Sequence, residues 1–336
     1  MVLAPRNYEE IFEAAVKRAK KAGSGVVLRR KLFYIKKVEI RKIKVANNYV
    51  ISRLKKIVLT TPFVKELHPF YRELFQVIMD LDSLKKSLSK IYGATFIINR
   101  IARESISAIR KAGDKASIVK YRKTYFGRLN SILKDLDRDF KIVRAAQIKI
   151  LKLPEVDPNI YSVVVAGPPN VGKSSLVKAI TRAKPEIREY PFTTKSITVG
   201  HMTIDSTVVQ VLDTPGLLDR PLSERNKIEL QAILALQYVA DLIIFIFDPT
   251  ETCGFTLDYQ IRVLREILES FKGIPFVYVA NKADIASSEH VERMNKVARK
   301  LLKGKEVLFI SAKEGLNLDS VIKVIEYHVK TRKERR

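Results

Sequence analysis

The sequence predicts two domains of different class: an all-α, strongly basic helical bundle, then an α/β domain with a mainly parallel sheet covered by helices. Three observations carry this. Positive charge is segregated: residues 1–155 hold 36 Lys and Arg against 14 Asp and Glu, whereas residues 156–336 hold 26 against 22, and the +4 of that second half sits entirely in its last seven residues. Helical periodicity dominates the first half, while short β-branched runs alternate with amphipathic stretches in the second. Between the two, Pro154 and Pro158 break the helical pattern. The expected layout is a bundle over 1–153, a linker over 154–159, the α/β domain over 160–329 and a basic tail over 330–336. A chain of 336 residues suits two cores better than one.

In the bundle, Leu32, Ile35 and Val38 share one face of a long helix, and Arg30, Lys37, Arg41 and Lys44 share another. Thr61-Pro62 ends that helix, and Pro69 suits the first turn of the next. Leu129, Leu133, Leu136, Phe140 and Val143 recur at spacings of 4, 3, 4 and 3, which predicts one helix from about 120 to 151. Lys134, Arg138 and Lys141 form a basic row on the same stretch. Four or five helices with basic outer faces are expected. In the second domain, strands are expected at 160–166, 197–203, 208–212, 242–247, 276–280 and 307–310.

Composition removes several classes. With 46% hydrophobic residues the chain is not disordered, and its longest apolar run, 242–247, is far too short for a bilayer span. The N-terminus lacks the apolar core of a secretion signal. A single cysteine, Cys253, excludes an intrachain disulfide and fits a reducing interior. The expected setting is cytoplasmic, with a polyanionic partner. Mixed Lys/Glu networks leave net charge modest, so they do not explain the +22 of the first half. Nucleic acid is favoured over an anionic membrane: there is no lipidation motif, no Trp, and the basic helices are separate.

The chemistry lies in the second half. Gly167-Pro168-Pro169-Asn170-Val171-Gly172-Lys173-Ser174, followed by Ser175, matches a phosphate loop placed between a strand and a helix. Backbone N–H groups there wrap a β-phosphate and the helix N-terminus adds a favourable dipole. Lys173 neutralises β- and γ-phosphate charge, and the Ser174 hydroxyl suits Mg²⁺. Asp213-Thr-Pro-Gly216 ends a later strand: the Asp213 carboxylate can hold a Mg²⁺-bound water, and the Gly216 N–H can meet a γ-phosphate. Asn281-Lys282-Ala-Asp284 follows another strand, where Asp284 can accept two N–H bonds from guanine, which adenine lacks. Ser311-Ala312-Lys313 would complete the base pocket. All four elements lie where an open α/β sheet binds ligands. This is the pattern of a guanine-nucleotide switch, an α/β P-loop GTPase domain that takes GTP or GDP with Mg²⁺.

Between the first two elements, Thr193 or Thr194 should close on Mg²⁺ and the γ-phosphate, Thr194 being favoured. Leu217 stands where Ras-like enzymes keep the glutamine that orients water. Leucine cannot polarise water, and even glutamine-bearing Ras turns over unaided at roughly 10⁻⁴ s⁻¹. Hydrolysis is therefore expected to be slow or completed from outside. Asn170 either helps hold a K⁺ ion at the β–γ charge or merely shapes the loop.

With these residues in place, the second half resembles the Obg branch of GTPases, carried by GPPNVGKSSL and AKPEIREYPFTTKSITVGHM. The stretch DTPGLLDRPLSERNKIELQAILAL, with His68-Pro69-Phe70-Tyr71 and LPEVDPN, resembles the Nog-type nucleolar GTP-binding proteins. The resemblance covers nearly the whole chain and implies a helical domain set against ribosomal RNA, with GTP-dependent assembly of the large ribosomal subunit. Eukaryotic members continue well beyond the G domain, so this chain looks like a short, archaeal-like version. Partners expected are large-subunit ribosomal RNA or a pre-ribosomal particle, without stable membrane association. The alternatives are a module that holds GTP and rarely cleaves it, and a GTPase at an anionic membrane. Among the aromatic residues interleaved with the basic ones, namely Phe33, Tyr34, Tyr49, Tyr121, Tyr125 and Phe126, most are expected in the core. The four histidines show no metal-ligand spacing.

Overall fold

The computed structural model describes residues 1–24, 32–62, 67–153, 156–181, 186–189, 196–302 and 304–334. They form two compact units, Met1–Glu66 with Met79–Leu151, and Leu67–Ile78 with Lys152–Arg336.

The first unit contains helices α1 (Glu9–Gly23) and α2 (Leu32–Thr60); α3 (Pro69–Ile78) interrupts it in sequence, and α4 (Leu81–Lys111), α5 (Lys115–Asp135) and α6 (Asp137–Leu151) complete it. Asp80 caps α4 by accepting from the Asp82 and Ser83 N–H groups, and Asp114 caps α5 by accepting from Ser117. Ile43, Leu54, Ile57, Ile91, Ile98, Leu129, Leu133 and Phe140 are fully buried in one core. The bundle of helices and the end of α2 before Pro62 match expectation. The single helix expected over 120–151 is two helices, broken at Leu136. Aspartates, poor helix formers, flank the break, and Asp137 Oδ1 accepts the Tyr8 N–H at 2.8 Å while its other oxygen pairs with Lys141 at 2.7 Å. Leu133, Leu136, Phe140 and Val143 stay buried through the break, so periodicity alone hid it.

Helix α3 departs from the expected 1–153 bundle. Its apolar face, Phe70, Leu74 and Phe75, is buried in the second unit, against α8 (Lys227–Ala235). Nor do the described residues of the expected linker stand apart. Val156 is buried and exchanges hydrogen bonds with the Tyr71 hydroxyl, 2.7 and 3.1 Å, and the Asp157 carbonyl accepts from Gln210.

In the second unit a seven-stranded sheet runs β1 (Tyr161–Ala166), β2 (Glu186–Glu189), β3 (Ser196–Ile204), β4 (Thr207–Asp213), β5 (Leu242–Phe247), β6 (Phe276–Ala280) and β7 (Val307–Phe309) in the order β2-β3-β4-β1-β5-β6-β7. The five strands from β4 to β7 along that order are parallel, and β2 and β3 join antiparallel. Six strands fall where the sequence predicts, within a residue or so at each end; the four-residue β2 was too short to register. Helices α7 (Lys173–Ile180), α8 (Lys227–Ala235), α9 (Leu257–Ser270), α10 (Ser288–Leu301) and α11 (Leu318–Glu334) accompany the sheet. The expected basic tail over 330–336 is, as far as it is described, the last turns of α11. There Lys330 pairs with Asp205 at 2.9 Å, and Arg332 pairs with Asp241 and lies over the Tyr161 ring.

Parallel strands end on one edge of the sheet, and the four motifs leave from the ends of β1, β4, β6 and β7.

Candidate functional site

The phosphate loop is shaped by two glycines. Gly167 has φ 140°, and a Cβ there would lie 2.5 Å from the Ile246 carbonyl oxygen. Gly172 has φ 101°, and its Cβ would meet Asn281 Nδ2 at 2.1 Å. Asn170 is left-handed at φ 61°, which asparagine tolerates. Gly172 caps α7 without a side chain, leaving first-turn N–H groups for an anion. Lys173, 6% exposed, folds its ammonium onto the loop and donates to the Gly167 and Pro168 carbonyls, both at 2.7 Å. Val171 is buried, while Asn170, Ser174 and Ser175 are exposed.

Ser174 Oγ donates to Asp213 Oδ2 at 2.5 Å. Burial pushes the Asp213 carboxyl above its ordinary value, opposed by the Ser174 hydroxyl and by Lys173. Asp213 Oδ1 is buried with no hydrogen-bond partner among the described residues. A hydroxyl and an unsatisfied carboxylate oxygen are hard donors, and together they fit Mg²⁺ or a water held by it. Thr193 and Thr194, the expected third donor, lie outside the described residues.

After Asp213 the chain folds back on the phosphate loop. The Thr214 hydroxyl donates to the Val165 carbonyl and the Gly167 N–H to the Leu218 carbonyl. Leu217, 1% exposed, is packed inside. The Gly216 N–H donates to Asp219 Oδ2 at 2.8 Å, and Asp219 Oδ1 pairs with Arg225 at 2.8 Å.

Asn281 is pinned at both ends of its amide. Nδ2 donates to the Val171 carbonyl at 2.8 Å, and Oδ1 accepts the Ala312 N–H at 2.9 Å. It therefore ties the phosphate loop to the Ser311–Ala312 turn; the sequence had placed it only as a nucleotide contact. Ser311 is buried and Lys313 exposed. Asp284 is exposed, and its carboxylate has no partner among the described residues, so both oxygens are open to a base. Lys282 Nζ bonds Asp248 Oδ2 at 2.7 Å and the Thr252 hydroxyl at 2.8 Å. Sequence reasoning missed Asp248, Thr252, Asp219 and Arg225. The Asp-x-Thr-x-Thr run directly after β5 was a signal for the first pair.

In the first unit, Lys37, Arg41 and Lys44 are exposed on α2 and, with Phe33, Lys36, Ile40 and Arg110, line an open concavity of about 660 Å³. Lys37, Arg41, Lys44 and Arg110 have no ion-pair partner among the described residues. Arg30 lies outside the described residues. Lys134 and Arg138 are exposed but sit on different helices, and Lys141 is paired with Asp137. Tyr125 is fully buried, whereas Phe33 is 68% exposed.

Residues 2–157 match the family model for the NOG1 N-terminal helical domain, and residues 162–282 match that for a 50S ribosome-binding GTPase. An uncharacterised protein of Methanocaldococcus jannaschii is 40% identical over 286 residues, 84% of this chain and 80% of that one. The chain belongs to the Nog family of GTP-binding proteins. Nucleolar GTP-binding protein 1 of Encephalitozoon cuniculi, a eukaryotic Nog protein, is 32% identical over 317 residues, 94% of this chain. The chain spans 60% of that protein's length and 40% of the Saccharomyces cerevisiae one. A Plasmodium falciparum Nog crystal structure aligns with TM-score 0.46 and 29% identity, covering 55% of this chain and 93% of that one. The two matches place a helical domain ahead of a GTPase domain. Among the described residues, no helix is long and apolar enough to cross a membrane.

Proposed function

We propose that this Nog-family chain is a slow, GTP-driven switch that acts in assembly of the large ribosomal subunit, holding ribosomal RNA through its basic bundle. The observation that carries the nucleotide half is the Asn281 amide, which joins the phosphate loop to the Ser311–Ala312 turn while Asp284, without a partner among the described residues, is left for guanine. Ser174, Asp213 and Thr194 would hold Mg²⁺, which would supply charge neutralisation at the phosphates; Lys173 would leave its two carbonyls for the β- and γ-phosphates.

A buried Leu217 offers no group to orient water, which supports slow intrinsic turnover. The exposed Asn170 side chain is available to a K⁺ ion at the loop. Single-turnover hydrolysis in K⁺ and in Na⁺ buffers, each with and without large-subunit particles, tests this. Faster turnover in K⁺, or with particles, is the expected result. A rate that none of these conditions raises would favour the reading in which GTP is held and rarely cleaved.

For the bundle, the cations along α2 support phosphate contacts that position RNA with little base readout. With some six phosphates neutralised, RNA affinity should fall by roughly 10³ between 50 and 200 mM salt. Filter binding over that range measures the slope; salt-insensitive association would point to a protein partner.

A further inference from the structure

We propose that Asp219 sets the preference of the nucleotide site between tri- and diphosphate, by holding the backbone N–H that a γ-phosphate needs. This rests on the GTP-switch reading above. Among the described residues the Gly216 N–H has one acceptor, Asp219 Oδ2 at 2.8 Å. That acceptor is an anion, so it satisfies the donor as a phosphate oxygen would.

Asp219 is not loosely placed. Its residue is 6% exposed, and its second oxygen takes Arg225 Nη2 at 2.8 Å; the same Nη2 also donates to the Leu217 carbonyl at 2.8 Å. The Arg225 side chain is only 3% exposed. The ion pair holds the carboxylate aimed at Gly216. The next carbonyl, Leu218, accepts from Gly167, the first residue of the phosphate loop. A γ-phosphate that claims the Gly216 N–H must therefore displace a part-buried, charge-assisted bond and shift a segment stitched to the phosphate loop. GDP, which lacks that phosphate, displaces nothing. Asp219 thus weakens GTP relative to GDP and makes the segment after Gly216 report which nucleotide is bound.

The test is equilibrium titration with fluorescent GDP and with the non-hydrolysable triphosphate GMPPNP, both with Mg²⁺. The proteins are wild type, Asp219→Asn, and Asp219→Asn combined with Arg225→Met, the last so that no buried charge is left alone. Replacing a charged acceptor by a neutral one should tighten GMPPNP by about tenfold while GDP changes by less than about twofold. A GMPPNP-to-GDP affinity ratio that is unchanged or lower in the variants, with GDP binding intact, overturns the proposal. Absence of GDP binding by the wild-type chain would instead overturn the nucleotide-site reading itself.

Discussion

Gly172→Ala should abolish measurable nucleotide binding and lower the melting temperature. Two effects act together. The residue sits at φ 101°, where an L side chain costs about 1–2 kcal/mol. Its new Cβ would also fall 2.1 Å from Asn281 Nδ2. The far end of a flexible side chain could swing away cheaply, but Asn281 is held on both sides. Moving it breaks the bond to Val171, loses the acceptor for the buried Ala312 N–H, or both. Each broken bond costs about 1–3 kcal/mol when a buried partner is left unsatisfied. Phosphate loop and base pocket would shift in one step, so GDP affinity should fall by roughly 100-fold or more, at about 1.4 kcal/mol per tenfold. The control is Gly273→Ala. It has a similar φ of 89° but nothing within 4 Å of the added Cβ, so it should lose stability and leave GDP affinity intact. Fluorescence titration with GDP and thermal melts measure both; equal GDP binding by the two variants would remove the coupling through Asn281.

Asp248→Ala should be among the most destabilising single changes in the second unit. The carboxylate is fully buried and accepts from the Thr250 N–H and hydroxyl, the Thr252 hydroxyl, the Cys253 N–H and the Lys282 ammonium. Alanine removes the shared acceptor of all five donors, and leaves Lys282, whose side chain is 23% exposed, only the Thr252 hydroxyl among the described residues. Breaking one partner out of a buried ion pair costs about 3–5 kcal/mol. Burial pushes the Asp248 carboxyl up, but bonds from Lys282 and Thr250 outweigh it, and the net position is below the ordinary 3.8. A carboxyl lowered in the fold stabilises above its unfolded value and loses that contribution as pH falls through the folded one. The gap between wild type and variant in urea unfolding should therefore be flat across neutral pH and narrow only below about pH 4. Since Lys282 lies two residues before Asp284, the residue proposed above to read the base, GDP affinity should also drop. A gap that widened in acid would show that another group carries the effect.

The sequence by itself determined the parts whose signals are local. A phosphate loop needs glycines at fixed offsets between a strand and a helix, and Gly167, Gly172, Lys173 and Ser174 meet that need within eight residues. Strands read as β-branched runs because both faces of a parallel sheet are buried. The charge on the first half is likewise plain in composition, and the Nog resemblance followed from contiguous stretches.

Tertiary structure decided what depends on distant partners. Nothing near Phe70 and Leu74 says that they bury against α8 rather than among their sequence neighbours. The same holds for Asn281, whose partners lie 110 and 31 residues away. Even at short range, the bond from Gly216 to Asp219 depends on Arg225 to aim the carboxylate, and the break at Leu136 depends on Tyr8 to hold Asp137. Periodicity reports which face of an element is apolar. Which surface covers that face, and which donor a buried carboxylate finds, is settled only when the whole chain packs and every buried polar group must be satisfied at once.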